Sequence, residues 1–404
     1  MTPSSSLGTV AAVDRRALLG GLAALGLSGC ATRVAPPALV TSGRGDPGLR
    51  LAPLRARPER IFQISVCLRP VRAAGPRLET EQVGDALVVH NYGHGGSGWS
   101  LSWGSSALAV QMALAASRGS VAVIGSGPLG LTAGLLLQSA GVPVTIYARE
   151  LVPEMATLRA TGSFTPDSRI ALADKVDSGF ADRWEQMART SFRRYNSLLG
   201  LPGDPVRWVD RYVVSDPGPV PPQERRPDEL PFVNYGSRVR DLFPRGETMA
   251  PGATPFTGFD VRRNSNLMFN LASYANLLDG QFRLAGGRIE RREFHSLGEL
   301  GRLPEKVVIN CTGYGARALA DDEAVVPVRG QIAWLIPQAD FDYAVAFRGV
   351  NVVPRSDGIA VQAVSGGDMR GYGEDSLVPD RSEAEAAVAT LAELYAGFGR
   401  SAAA

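Results

Sequence analysis

The run "VAVIGSGPLGLTAGLLLQSAGVPVTIYARE", Val121 to Glu150, constrains this chain more than any other stretch. Gly125, Gly127 and Gly130 form G-x-G-x-x-G directly after a buried-type strand, Ser120 to Ile124, and at the start of a helix, Leu129 to Ala140. The first glycine permits the tight turn, and the second lets a pyrophosphate approach the main chain. The third lets helix and strand pack closely, with the helix N-terminus turned toward the phosphates. Pro128 and Leu129 lie inside this turn and belong to the same binding group. A second strand follows, Val142 to Tyr147, and an acid at its end should take the ribose hydroxyls. Glu150 stands 25 positions after Gly125, with Arg149 in the more usual place. The pattern reads as a dinucleotide-binding unit and by itself leaves FAD and nicotinamide cofactors both open.

Strand and helix signals alternate along the rest of the chain. Ile61 to Leu68, Ala86 to Asn91, Trp208 to Val214 and Lys306 to Gly313 read as strands, and Val350 to Val364 as a strand pair around "RSDG". Ser105 to Ser117, Phe180 to Leu199, Leu267 to Leu278 and Arg381 to Phe398 read as helices, and proline-rich Leu201 to Pro231 as loop. The class is α/β, with an antiparallel portion in the later half. At 404 residues the chain has room for two domains.

The N-terminus reads as an export signal outside the fold. Arg15 and Arg16 precede an apolar run from Ala17 to Leu27 that is too short to span a bilayer. Paired arginines point to twin-arginine export, and "LSGC" resembles a lipobox whose Cys30 would carry lipid and anchor the protein to a membrane on the periplasmic side. Residues 31–60 read as a tether. Net charge is +2 with no clustered Lys/Arg stripe, which argues against a nucleic-acid partner. Cys67 and Cys311 sit in apolar strand-like runs and are expected as free thiols. No ligand spacing suggests a metal site, and the three histidines (His90, His94, His295) come without a nucleophile elbow. The sequence leaves the oligomeric state open.

Four further segments carry a family resemblance. "NYGHGGSGWSLSWG" (Asn91 to Gly104) closely resembles the C-terminal signature of the D-amino-acid oxidase family of flavoproteins. "CLRPVRAAGPRLETE" (Cys67 to Glu81) is similar to the segment just upstream of it in that family. "RATGSFTPDS" (Arg159 to Ser168) is similar to the stretch passing the flavin ring, and "VINCTGYGARAL…VVPVRGQ" (Val308 to Gln331) looks like the family's strand and turn against the flavin. The resemblance implies FAD as cofactor and a Rossmann-type FAD-binding domain (61–165, 255–325, 380–399). It also implies a mainly antiparallel substrate domain (166–254, 326–379). In the family the dinucleotide fingerprint opens the chain and the glycine signature closes it. Here the closing block, Ile61 to Ser117, comes first, which reads as a circular permutation.

Site roles follow from the resemblance. Arg69, in R-P-V-R, would hold the substrate carboxylate, while Arg72 and Arg77 are expected to be structural. His94, Gly95, Gly96, Ser97, Gly98, Trp99 and Ser100 would wrap the flavin with backbone donors. Gly162, Ser163 and Gly313 would touch the ring. Where the family has pocket tyrosines before a proline, "FRGVNVVPR" brings Phe347 and Asn351, with Arg348 or Tyr343 as compensating groups. The aromatics from Trp184 to Trp208 read either as pocket lining or as core. The implied activity is oxidation of a D-amino acid or related amine, with molecular oxygen as acceptor and hydrogen peroxide as product. The alternatives are a membrane-associated dehydrogenase feeding a quinone, and a non-catalytic FAD-binding lipoprotein.

Overall fold

The computed structural model describes residues 51–219 and 229–398. The expected export signal and most of the expected tether lie outside the described residues. Among those residues, no helix is long and apolar enough to cross a membrane.

One sheet carries the fingerprint. It has six strands: β2 (Arg77–Val83), β3 (Ala86–Tyr92), β4 (Val121–Ile124), β5 (Val144–Ala148), β9 (Arg288–Arg291) and β10 (Val307–Asn310), ordered β2-β3-β10-β4-β5-β9. All neighbours run parallel except the β2/β3 hairpin at one edge. The short central runs "VAVI" and "VVIN" are wholly buried, as expected of a parallel sheet covered on both faces. Val121, Val123 and Ile309 face α1 (Gly98–Ala116), α2 (Pro128–Ser139) and α4 (Leu271–Leu284), while Ala122, Ile124 and Val308 pack with Leu300, Leu303 and Leu319 behind.

The second sheet has eight strands and is mostly antiparallel. It comprises β1 (Ile61–Arg72), β6 (Val206–Ser215), β7 (Glu247–Thr248), β8 (Asp260–Phe269), β11 (Val325–Leu335), β12 (Ala344–Phe347), β13 (Val350–Arg355) and β14 (Gly358–Ala363). Their order is β1-β11-β14-β13-β12-β6-β8-β7. Strand alternation gives it two distinct faces. Tyr212, Val345, Phe347, Val350, Val352 and Val361 form a core with α5 (Arg381–Ala396) through its Ala384, Val388 and Leu391. Val209, Met268, Ile332, Trp334, Ala344 and Val353 occupy the other face, toward the cavity described below. α5 begins where the Asp380 carboxylate accepts from the Glu383 amide at 3.1 Å, a cap that contributes about 1 kcal/mol. The remaining long helix, α3 (Phe180–Asn196), buries Trp184 against Leu101 and Val239.

The Rossmann-type sheet and its mainly antiparallel companion are thus present, with differences in detail. β1 and α5, expected with the FAD-binding unit, belong to the eight-stranded sheet and its back. Leu267 to Phe269, read as the start of a helix, is the end of β8. The helix begins at Leu271, because a short apolar run serves either state. α1 starts at Gly98, seven residues before the expected Ser105, so the second half of the glycine signature is helix.

Candidate active site

A cavity of about 1680 Å³ runs between the fingerprint turn and the site face of the eight-stranded sheet. Its walls come from places distant in sequence, among them the end of β1, the glycine signature, the fingerprint turn and the strands β6, β8, β11 and β13.

At one end lie Gly125, Gly127, Pro128 and Leu129. Gly125 has φ +105, and a Cβ there would come within 2.6 Å of the Cys311 carbonyl oxygen, so the turn requires glycine. The N-cap of α2 is Gly127, which offers no side-chain cap, and Pro128 at the next position has no amide to satisfy. The amide of Leu129 therefore faces the cavity without an intrahelical acceptor. α1 also starts at the cavity wall, at Gly98 and Trp99, with no side-chain cap. Two uncapped helix N-termini thus meet one cavity, a favourable setting for phosphate and polarised ring oxygens.

The glycine signature works differently from expectation. The Gly95 amide donates to Pro70 O at 2.7 Å, the Gly96 amide to Ser168 O at 2.9 Å, and the Ser97 amide to His94 O at 2.9 Å. Those three donors are spent inside the protein, leaving the first-turn amides of α1 as the free ones. Ser97 and Ser100 do not reach the cavity. Ser97 Oγ donates to Thr165 O at 3.0 Å and Ser100 Oγ accepts from the Thr165 amide at 2.8 Å, so both hold the 159–169 segment in place. Gly162 and Gly130 are likewise packing positions outside the wall. A Cβ on Gly130 would overlap the Gly125 carbonyl oxygen, and one on Gly162 the Phe269 carbonyl oxygen. Ser163, Gly313, Arg149 and Glu150 do line the cavity. Glu150 Oε2 accepts from the Ala156 amide at 3.1 Å, while its other oxygen meets Arg149 at 3.2 Å.

His94 is fully buried and lines the wall. The Ser105 hydroxyl donates to Asn91 Oδ1 at 2.7 Å, so its oxygen accepts from His94 Nε2 at 2.7 Å. The ring is therefore protonated on Nε2. Its Nδ1 is a bare acceptor with no partner among the described residues. Burial lowers the His94 pKa to about 3, so the ring is neutral at physiological pH.

A residue-range match follows the same map. The profile of the family described as "FAD dependent oxidoreductase" (DAO) matches residues 120–403. The chain belongs to this DAO family. FAD is its cofactor, and the uncapped helix ends, the orphaned His94 Nδ1 and the fingerprint turn fit that group. The chain is 28% identical over 220 residues to the D-amino-acid oxidase of Streptomyces coelicolor, covering 53% of this chain and 58% of that protein. It is 32% identical over 213 residues to the D-amino-acid oxidase of Rubrobacter xylanophilus, covering 52% and 57%. The chain thus spans a little over half the length of these curated relatives. Among solved structures, glycine oxidase from Geobacillus kaustophilus aligns with TM-score 0.45 at 13% identity, over 70% of this chain and 78% of that one.

Another part of this DAO-family cavity, away from the fingerprint turn, is rich in arginine. Arg69 faces it from β1, donating from Nη1 to Arg329 O at 3.2 Å. A Cβ on Gly330 would collide with its guanidinium, so the glycine on β11 makes room for it. Arg169 donates to Asp368 O at 2.8 Å and Gly367 O at 2.9 Å. Burial and the nearby Arg69 charge bring its pKa down to about 10. Arg211 on β6 donates from Nη2 to Asn351 Oδ1 at 3.2 Å. Asn351 lines the cavity as expected. Arg169 and Arg211 were not singled out from sequence.

The expected compensating groups are elsewhere. Phe347 and Tyr343 are buried on the α5 face, where the Tyr343 hydroxyl donates to Ala52 O at 2.6 Å. Arg348 is exposed and pairs with Asp216 at 2.7 Å and Glu393 at 3.1 Å. Trp184 is core, donating from Nε1 to Pro166 O at 2.6 Å. Arg72 and Arg77 are structural: Arg72 meets Asp322 at 3.0 Å, and Arg77 donates to the Tyr92 hydroxyl at 3.0 Å. His90, between Glu81 and Asn310, is structural too, and His295 is exposed at the cavity rim. Cys311 is a buried free thiol pushed up to about 12 by burial, while Cys67 is free and half-buried.

The burial of His94 has a consequence for stability. Its folded pKa lies below the ordinary 6.5, so the unfolded chain binds the extra proton. Its contribution is therefore complete above pH 6.5 and is lost as pH falls toward 3. Between pH 7 and 5 the loss is about 2 kcal/mol. His90 is shifted the same way, mainly by burial, and is common to both proteins compared. Denaturant unfolding of His94→Asn at fixed excess FAD should show a pH slope smaller by that amount; an unchanged slope would mean that His94 titrates normally.

Proposed function

We propose that the protein oxidises a D-amino acid, or a closely related amine carrying a carboxylate, to the imino acid. The observation that carries this reading is Arg69, aimed into the FAD-family cavity with no carboxylate partner among the described residues. Its planar guanidinium suits a substrate carboxylate through two parallel hydrogen bonds. Asn351 lines the same cavity, and its side-chain oxygen accepts from Arg211 Nη2 at 3.2 Å. Met268, Ile332 and Val353 give an apolar floor that sheds water from the α-carbon. When bound, FAD supplies the ring that accepts a hydride from that carbon. The amine loses a proton as the C=N bond forms, and water then hydrolyses the imino acid to keto acid and ammonia. His94, with Nε2 committed to Ser105 and its pKa lowered by burial to about 3, is too weak a base to take that proton. Oxygen takes the two electrons and yields hydrogen peroxide.

The deciding experiment follows the flavin absorbance anaerobically during additions of D- and L-amino acids. Bleaching by a D-amino acid supports the reading, and rapid recovery in air supports the oxidase form. Recovery only with a soluble quinone favours a membrane dehydrogenase. Flavin that no amino acid bleaches returns the non-catalytic reading.

Two organisational proposals accompany this one. The first is the circular permutation. The family match begins at residue 120, yet β1, β3 and α1, all from before it, complete both sheets and the cavity. Only four residues separate α1 at Ala116 from β4 at Val121, and Leu51, Leu54 and Phe398 share one apolar cluster. A chain running 118–398 and then 51–117 should fold and bind FAD within about threefold of the parent affinity; failure to fold or to bind the flavin would end the proposal. The second is export with lipid attachment at Cys30, supported by Arg15, Arg16 and "LSGC". Cys30→Ala should move the protein from the membrane fraction to the soluble periplasmic fraction, and an unchanged distribution would refute anchoring there.

A further inference from the structure

The substrate end of the cavity holds more positive charge than one carboxylate can satisfy. Arg329 and Arg370 reach Glu383 at 3.9 Å and 3.0 Å, and Arg169 reaches Asp368 at 3.5 Å. Arg69 and Arg211 have no carboxylate partner among the described residues. Each gives only one hydrogen bond to a neutral oxygen, Arg329 O and Asn351 Oδ1 respectively. A guanidinium carries five N–H donors and stays charged, so both groups keep most of their donors unspent in a half-buried wall. Leaving such a group opposite an aliphatic side chain is costly, whereas a carboxylate satisfies it through two parallel bonds.

The two cations stand apart. Arg169 feels the charge of Arg69, and its pKa falls accordingly, after burial. Arg211 is lowered by burial alone. The fold explains the separation, because β1 is an edge strand while β6 lies beyond β11, β14, β13 and β12. Arg211 reaches back over β12 to Asn351 on β13, and Asn266 and Gln362 add neutral polar groups to the same wall. The strands between them present Ile332 and Val353 together with the Gln362 amide to the cavity, and Ala344 lies beside Arg211. The cavity thus presents cation, a stretch of apolar groups with one neutral amide, cation.

We infer that the substrate is an amino dicarboxylate, its α-carboxylate held by Arg69 and its distal carboxylate by Arg211, with Asn351 positioning the Arg211 guanidinium. This deepens the proposed function and assigns a specificity role to Arg211. Asn266 and Gln362 then flank the distal carboxylate, and a neutral side chain of equal length leaves Arg211 unpaired.

The test separates binding from turnover. Full-length FAD-loaded protein is titrated with redox-inert succinate and glutarate, and with butyrate and pentanoate of matching length, following the flavin absorbance. At least one dicarboxylate should bind about 30-fold more tightly than its monocarboxylate match, roughly 2 kcal/mol. In Arg211→Leu the ratio should fall below about threefold, and Arg211→Lys should recover part of it, because a point charge restores attraction without the fork. A merely structural Arg211 would change both affinities together and leave the ratio intact. Equal affinities in the parent protein would overturn the inference. Anaerobic flavin reduction by D-aspartate or D-glutamate should likewise exceed that by D-asparagine or D-glutamine. If no amino acid reduces the flavin while the inert dicarboxylates keep their preference, the proposed function fails and the dianion site stands.

Discussion

Arg69→Leu should lower kcat/KM for the best D-amino acid by about 10²- to 10³-fold, consistent with the ~2–5 kcal/mol lost when one partner of a buried charge pair is removed. Flavin content should stay at the parent level, because Arg69 makes one hydrogen bond to the protein, to Arg329 O at 3.2 Å. Losing that bond costs about 1 kcal/mol of stability. Most of the loss should fall on KM if the carboxylate is held equally before and during hydride transfer, and on kcat if Arg69 aligns the α-carbon. Arg69→Lys should recover only part, since ammonium cannot match the carboxylate bidentately. Activity within about threefold of the parent would remove the carboxylate from Arg69. Loss of flavin together with activity would make Arg69 a brace between β1 and β11.

What could be read from the chain and what could not follows from where each constraint is stored. The fingerprint turn was legible because Gly125, Gly127 and Gly130 record a backbone requirement at fixed spacing. The cavity-lining part of the signature was legible too, through His94, Gly95, Gly96 and Gly98. Its internal division was not, because the spent amides of Gly95 and Gly96 point at Pro70 and Ser168, and the latter is reached only after folding. Arg211 carried no local signal. It is one charged residue in a strand whose neighbours, β8 and β12, come from positions far along the chain. The mistaken roles of Phe347 and Tyr343 come from strand parity. In the register Phe347↔Val350 and Ala346↔Asn351, Phe347 takes the α5 face and Asn351 the cavity face, and a one-residue change of parity exchanges them. Phe347 therefore belongs to the core, whereas Asn351, hydrogen-bonded by Arg211, lies in the cavity wall.

The fingerprint glycines should fail in two different ways, and the contrast tests whether the turn is shaped for FAD or for its own packing. A Cβ on Gly127 meets nothing within 4 Å, and its φ of −70° suits any residue, so Gly127→Ala should leave the flavin-free protein as stable as the parent. The added methyl would stand where the pyrophosphate must approach the helix end, and the amide contacts there are charge-assisted. Losing one is worth ~1.5–3 kcal/mol, so the dissociation constant for FAD should rise roughly 10- to 100-fold. Gly130→Ala drives its Cβ into the Gly125 carbonyl oxygen, which belongs to the turn itself and has no side chain to swing aside. Overpacking typically costs ~1–3 kcal/mol, and the upper end applies against fixed backbone. Gly130→Ala should therefore lower the stability of the flavin-free protein by about 3 kcal/mol and weaken FAD through a displaced turn. Denaturant unfolding without FAD and flavin titration of each variant separate the two effects. Equal loss of stability in both would mean that Gly127 also packs, while tight FAD binding by Gly127→Ala would place the pyrophosphate away from the N-terminus of α2.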